Sequence, residues 1–351
     1  MPLLARMIAC PLTVDIRSGA VTSLSALLSD RYISAHGYVA VVVGPGQGER
    51  VVSEVRPSLG NAEIFHVEGG SHEVALELAD SLRAGSYDAV VGIGGGRTLD
   101  VAKFAASMAA LPMVAVATNL AHDGIASPVA SLESDGSKGS YGVHVPIAIV
   151  VDLDYVRVCP PEQLRAGVGD VLSNLNALAD WELAGRERGE PVDGLAAAFA
   201  RAAAESLLHR DDELTSLDFL TTLAEALVLS GLAMTVAGSS RPCSGACHEI
   251  SHAIDALYPG TASHGEQVAV GALFASYLRD DGSATALDAA LTRHGIPRLP
   301  GDLGLSEEQF ATAVGRAPST RPDRYTILEH LDLDGAQISE HVRRFIDAFT
   351  R

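Results

Sequence analysis

At 351 residues, with 47% hydrophobic and 20% charged side chains, the chain is globular and long enough for two cores rather than one. Its 25 basic and 44 acidic residues leave a formal charge of −19, which argues against a sequence-independent grip on nucleic acid and against attraction to an anionic membrane surface. The four cysteines make no CxxC pair, the N-terminal MPLLARMIACPL is too short an apolar run for a leader, and no run of about 18 uninterrupted apolar residues appears, so a cytoplasmic chain off the membrane is expected.

In chain order, YVAVVV (38–43) reads as a buried strand ending at Gly44-Pro45-Gly46, and a polar helical stretch follows. AEIFHV (62–67) is a second strand, 72–84 has apolar residues at helical spacing, DAVVGIG (88–94) is a third strand and 97–110 a helix. Further strands are expected at 113–118 and 146–152. Apolar strands separated by helices predict a parallel sheet with right-handed crossovers. After Pro160-Pro161 strand-like runs largely vanish, and Ala/Leu-rich helices are expected near 170–186, 192–209, 213–237, 245–257, 265–279 and 336–349. The expected architecture is an α/β Rossmann-like parallel-sheet domain for dinucleotide binding (1–157), followed by an all-α domain for metal and substrate (158–351).

The segment DAVVGIGGGRTLDVAK (88–103) passes from strand to glycine turn to helix. It is neither G-x-G-x-x-G, since Arg97 stands at the third glycine, nor a Walker loop. Gly94, Gly95 and Gly96 nevertheless lack Cβ atoms, so a diphosphate can approach the backbone at a helix N-terminus. Asp100 and Lys103 are spaced for a local i,i+3 ion pair, worth a few tenths of a kcal/mol. The small and polar loop from Ala117 to Pro128 follows a strand, where parallel sheets place ligand loops; its Asp123 is read as a hydrogen-bond partner of substrate hydroxyls, the alternative being a turn residue.

His248, His252 and His264 fall within 17 residues, with His248 and His252 on one helix face. HEISH (248–252) matches H-E-x-x-H, but a zinc-protease reading needs His264 or Glu266 as third ligand and leaves the glycine turn and Asp170 without a role. Asp170, expected at the start of a long helix, joins His248 and His264 as one carboxylate and two imidazoles suited to a catalytic divalent ion.

Together these motifs resemble the sn-glycerol-1-phosphate dehydrogenase family, which is grouped with glycerol dehydrogenase, the iron-containing alcohol dehydrogenases and dehydroquinate synthase. The resemblance rests on GGGRTLDVAK, HDGIASP, Gly-Asp170 with Asp180-Trp181, Ser-Arg-Pro…Ser-Gly…His248…Ser-His252 and His264-Gly-Glu-Gln-Val, in order over about residues 10–280. It implies a nicotinamide cofactor, NAD or NADP, lined by Gly96, Arg97, Thr98, Leu99 and Asp100, by Thr118, Asn119, Leu120 and Ala121, and by Ser127. It implies a metal on Asp170, His248 and His264, with substrate contacts from Asp123, Asp170 and His252. Zinc is the default ion, with nickel or iron as alternatives.

Cys247 stands where relatives commonly have Glu, and it is expected to be a buried thiol that could also reach the metal or pair with Cys243. No acidic residue follows the strand at 38–43 to grip a ribose 2′-hydroxyl, which leaves room for NADP as well as NAD. By comparison with dehydroquinate synthase, Arg241 is assigned to the substrate phosphate, as a bidentate guanidinium. The implied reaction is reduction of dihydroxyacetone phosphate to sn-glycerol 1-phosphate, by a homo-oligomer whose partners are small phosphorylated ketones or polyols. The alternatives are a dehydroquinate synthase-like lyase, a dehydrogenase for a related polyol phosphate, and a non-catalytic binder on the same fold.

Overall fold

The structure, a computed structural model, describes residues 8–350 apart from 32, 35, 36, 135 and 136. The first seven residues, part of the segment expected to hold no leader, lie outside the described residues. The strands are β1 (Thr13–Arg17), β2 (Val39–Val43), β3 (Glu63–His66), β4 (Ala89–Gly94), β5 (Met113–Ala117), β6 (Val129–Ser134), β7 (Ser137–Gly142) and β8 (Ala148–Asp152). The helices are α1 (Leu24–Asp30), α2 (Gln47–Val55), α3 (His72–Ala84), α4 (Gly96–Met108), α5 (Leu153–Val156), α6 (Pro161–Arg188), α7 (Gly194–Leu208), α8 (Leu217–Ala237), α9 (Ala246–Leu257), α10 (His264–Arg279), α11 (Ser283–His294), α12 (Glu307–Arg316), α13 (Ile327–Leu331) and α14 (Gly335–Phe349). Two compact units divide the chain: residues up to Pro160 with Thr215–Val236, and Pro161–Leu214 with the rest from Ala237. Helix α8, expected among the helices of the second domain, thus clusters almost entirely with the sheet.

In the first unit a six-stranded sheet runs in the order β1-β8-β5-β4-β2-β3, parallel throughout. Strands β2, β4, β5 and β8 are buried at every position, which is why their sequences are continuous apolar runs rather than alternating ones. Chain order reverses at β2, with β3 on one side and β4 on the other. The turns after β2 and β4 therefore lie side by side at the carboxyl ends of the strands, where open parallel sheets bind ligands. Helix α8 is long and apolar enough to cross a membrane, a feature the sequence reading did not anticipate, but it is mostly buried inside the protein. At Gly231 it comes so close to the loop after β5 that a Cβ would lie 2.5 Å from the carbonyl carbon of Ala126.

In the second unit the long helix α6 begins at Pro161, a residue suited to the first helical turn, so Asp170 lies inside the helix rather than at its start. Helices α6 and α10 meet backbone to backbone: a Cβ on Gly169 would lie 2.5 Å from the carbonyl oxygen of Gly265, and one on Gly265 would lie 2.0 Å from that of Ala166. Helix α9 approaches α10 the same way at Gly271, where a Cβ would lie 2.8 Å from the carbonyl oxygen of Cys247. Phe274 of α10 packs edge-on against Phe310 and Phe345, which ties α12 and α14 to this core.

Candidate metal centre and cofactor turn

The glycine contacts of α6, α9 and α10 bring Asp170, His248 and His264 together. One ligand atom from each lies within 4.8 Å of the others. The Nε2 atoms of His248 and His264 stand 3.8 and 3.9 Å from the same Asp170 oxygen, Oδ1. A tetrahedral ion with bonds of ~2.1 Å requires ligand separations of about 3.4 Å, so these donors need only small movements to meet one ion. Asp170 is 4% exposed, and a carboxylate so buried calls for a cationic partner.

The hydrogen bonds behind the imidazoles fix their tautomers. Gln267 donates from Nε2 to Asp255 at 3.0 Å, which turns its Oε1 toward Ser251, and the Ser251 hydroxyl donates to that oxygen at 2.7 Å. Ser251 Oγ, 3.1 Å from His264 Nδ1, must then accept from the ring, so a proton sits on Nδ1 and Nε2 is the ligating atom of the neutral ring. At His248 the partner of Nδ1 is Cys247 Sγ, at 3.3 Å. The Cys247 thiol points its own proton at the Ser173 carbonyl, and burial pushes it up to about 12, so it stays a thiol. Neither Cys243 nor Cys247 is in a disulfide, and both are buried. Burial, helped by the nearby imidazoles of His264 and His252 and by Arg321 and Arg324, holds His248 well below the usual imidazole range. A neutral ring is the ligating form.

The other residues of the H-E-x-x-H match go elsewhere. His252 Nε2 lies 3.1 Å from Arg321 Nη2, from which it accepts. Glu249 is fully buried and accepts from Thr326 at 3.1 Å; burial and the carboxylates of Glu329 and Asp180 push it up to about 8. Glu266 caps α10 by accepting from the Ser263 amide at 3.0 Å. A protease needs its glutamate at the metal and at water, and neither Glu249 nor Glu266 is placed for that.

Arg241 gives its Nε and Nη2 to Glu190, each at 2.7 Å, and Nη2 also reaches the Tyr325 carbonyl at 3.1 Å. Its Nη1 is buried and has no protein partner among the described residues. Asp180, fully buried, accepts from the Ala246 and Ile327 amides, each at 2.8 Å, and pairs with Arg279. It thereby fixes the start of α9 and the start of α13 to α6.

In the first unit Gly94 closes β4 and Gly95 precedes α4, whose N-terminus faces the turn. None of the three glycines has a positive φ; close approach is what they provide. The missing Cβ atoms make room for Thr98 at Gly94, for the Asn119 amide at Gly95 and for the His122 imidazole at Gly96. His122, to which the sequence reading gave no role, therefore stands over the turn expected to take a diphosphate. Thr118 donates its amide to Gly94 at 3.0 Å, which fastens the second loop to the first. Arg97 is exposed and Ala121 half-buried, whereas Leu99 and Leu120 are fully buried core residues.

Asp100 and Lys103 pair at 2.9 Å, as their spacing implies, but the pair is buried, not a surface ion pair. Lys103 also donates to the carbonyls of Gly124 at 2.7 Å and Val129 at 2.6 Å and lies 3.4 Å from Ser127 Oγ, while Asp100 accepts from the Ser131 amide at 3.1 Å. These bonds clamp the loop carrying Asp123, which is half-buried beside Gly124, and they commit the Asp100 carboxylate and the Ser127 hydroxyl largely to the protein.

Residues 15–160 match the family model described as iron-containing alcohol dehydrogenase. Over 324 residues the chain is 36% identical to glycerol-1-phosphate dehydrogenase (NAD(P)+) of Hyperthermus butylicus, covering 91% of this chain and 92% of that one. The enzyme of the same name from Archaeoglobus fulgidus is 40% identical over 275 residues, 76% of this chain and 78% of its own. Among solved structures, glycerol dehydrogenase from Schizosaccharomyces pombe superposes with a TM-score of 0.76 at 22% identity, over 98% of this chain and 91% of that one.

Proposed function

We propose, from the premise that this chain belongs to the glycerol-1-phosphate dehydrogenase (NAD(P)+) family, that it reduces dihydroxyacetone phosphate to sn-glycerol 1-phosphate with NADH or NADPH. The observation that carries the reading is the convergence of two imidazole Nε2 atoms on one buried carboxylate oxygen, 3.8 and 3.9 Å away. Asp170, His248 and His264 hold the divalent ion in this reading, zinc by default and nickel or iron as alternatives. The turn at Gly94, Gly95 and Gly96, with the α4 N-terminus, Arg97, Thr98, Thr118, Asn119 and Ala121, takes the dinucleotide. Leu99, Asp100, Leu120 and Ser127 support that surface from behind.

When bound, the ion supplies Lewis-acid polarisation of a ketone and the dinucleotide supplies hydride. The chain's own residues do the rest. Asp170 accepts from the single free hydroxyl of the ketone and so orients its carbonyl face, and Asp123 is kept as the expected hydrogen-bond partner of the polyol. With Arg321 donating to Nε2, the His252 ring presents Nδ1–H, which donates a hydrogen bond to the forming hydroxyl, whose own proton comes from solvent water. Arg241 meets the phosphate through Nη1, since its other edge is held by Glu190. Gly44, following β2, offers no carboxylate to a ribose 2′-hydroxyl, which supports use of both dinucleotides.

The test follows the near-ultraviolet absorbance of reduced nicotinamide with dihydroxyacetone phosphate, before and after chelation and after adding back Zn²⁺, Ni²⁺ or Fe²⁺. Turnover that chelation abolishes and an ion restores is expected. Full activity in a metal-free preparation overturns the metal assignment, and no oxidation with any phosphorylated ketone overturns the substrate.

A further inference from the structure

We infer that His122 is a ligand of the dinucleotide's diphosphate: its Nε2–H, held over the first turn of α4, donates to a phosphate oxygen and joins the backbone amides there in a cradle of uncharged donors. The inference rests on the proposed dinucleotide at the glycine turn and adds to it a side chain that the sequence gave no role.

Shape comes first. The His122 ring lies in a slot between glycines of two different segments. A Cβ on Gly96 would collide with its Nε2, and one on Gly124 with the edge formed by Cε1 and Nδ1. At Gly95, the preceding glycine of the turn, the Asn119 amide takes the corresponding place. The loop after β5 thus lays two nitrogen-bearing side chains against two successive glycines. A slot kept open on both sides for one half-buried imidazole is more than the packing of a βα turn calls for.

The proton comes second. His122 makes one hydrogen bond among the described residues: Nδ1 accepts from the Gly124 amide at 2.9 Å. The neutral ring therefore carries its proton on Nε2, the atom that meets Gly96. Gly124 is itself fixed, because its carbonyl accepts from the buried Lys103 at 2.7 Å. Lys103 stands two turns along α4 from Gly96. The helix whose N-terminus faces the ligand thus also anchors the residue that orients the ring.

Charge comes third. The N-terminus of α4, a 13-residue helix, offers free amides and the positive end of its dipole. In a chain of net charge −19 a diphosphate is met by such local donors rather than by a general positive field. A ring N–H at this place adds a directed donor to an ionised phosphate oxygen. Because the diphosphate is common to NAD and NADP, the contact serves both alike.

The experiment measures the Kd of ADP-ribose, NADH and NADPH by titration calorimetry for the wild type, H122F, H122A and H122Q, with circular dichroism recorded for each. Phenylalanine fills the slot without a donor, and glutamine offers a side-chain N–H near the position of Nε2. All three ligands are expected to bind about tenfold more weakly to H122F and H122A, with H122Q recovering most of the loss. The KM for dihydroxyacetone phosphate at saturating NADH is expected to stay unchanged. Binding of ADP-ribose that is as tight as in the wild type, or tighter, in folded H122F and H122A overturns the donor role and leaves the ring a filler of the turn. Equal weakening in all three variants, with a matching rise in the KM for the ketone, overturns it too, since displacement of the whole loop is then the cause. If H122F does not fold, H122A and H122Q carry the comparison. A wild type that binds none of the three ligands overturns the proposed cofactor instead, so the two failures are told apart.

Discussion

Ser251 touches no ligand in the proposed reaction, yet it decides which nitrogen of His264 carries the proton, because its own hydrogen is committed to Gln267. Ser251→Ala leaves His264 free to adopt the wrong tautomer. Ten- to hundredfold weaker zinc binding is expected, with the fold retained, as measured by competition with a chromophoric chelator. A second titratable residue bears on stability. His294 is 5% exposed, and burial followed by the charge of Arg293 lowers it below the usual 6.5. The folded state therefore favours the neutral ring. The stabilisation is complete above that usual value and is lost as pH falls through the lowered one. Urea unfolding between pH 8 and pH 5 is expected to show a steeper loss for the wild type than for His294→Gln. Parallel curves would remove His294 from the account. At this scale the sequence named Asp170, His248 and His264 because unusual residue types were bunched at helical spacing or set in a family motif. It could not name Ser251, Arg321 or His122, whose roles arise from segments far apart in sequence. Arg241 was legible as a cation of the loop, but its pairing with Glu190, 51 residues away, was not.

Helices α6, α9 and α10 converge because glycine stands at each closest approach. Gly265→Ala places a methyl 2.0 Å from the Ala166 carbonyl oxygen, a backbone atom that cannot turn aside. Loss of about 3 kcal/mol or more is expected by analogy with overpacking, together with loss of zinc, because the shift moves His264 away from Asp170. Thermal unfolding and metal analysis of the purified variant check both. Zinc retained at full stoichiometry would show that the helix spacing does not control the site. The buried strands and most long helices were readable from apolar runs and period. The edge strand β1 and the hairpin of β6 and β7 were not expected, because TVDIR is short and half exposed and SKGSYG is small and polar. Helices α11, α12 and α13 were not expected either; α12 and α13 are short, whereas α11 is as long as α9.

At the scale of the whole molecule, all three proposed metal ligands belong to the second unit, while the glycine turn belongs to the first. An ion that binds only the folded chain stabilises it by about 2.7 kcal/mol at a hundredfold excess over its Kd. Chelation is therefore expected to lower the unfolding temperature, and a melting curve indifferent to chelator would contradict the site. An ion on the proposed ligands would join α6 to α9 and α10 and would hold both ends of the connection at 258–263, where no residue is buried. With the ion withdrawn, that connection loses the restraint at its two ends, and cleavage there by a protease is expected to be faster in the chelated protein. In a cell short of the metal, the first effect expected is then on the lifetime of the protein itself, with copies lacking an ion cleaved sooner and abundance falling with the supply of the metal.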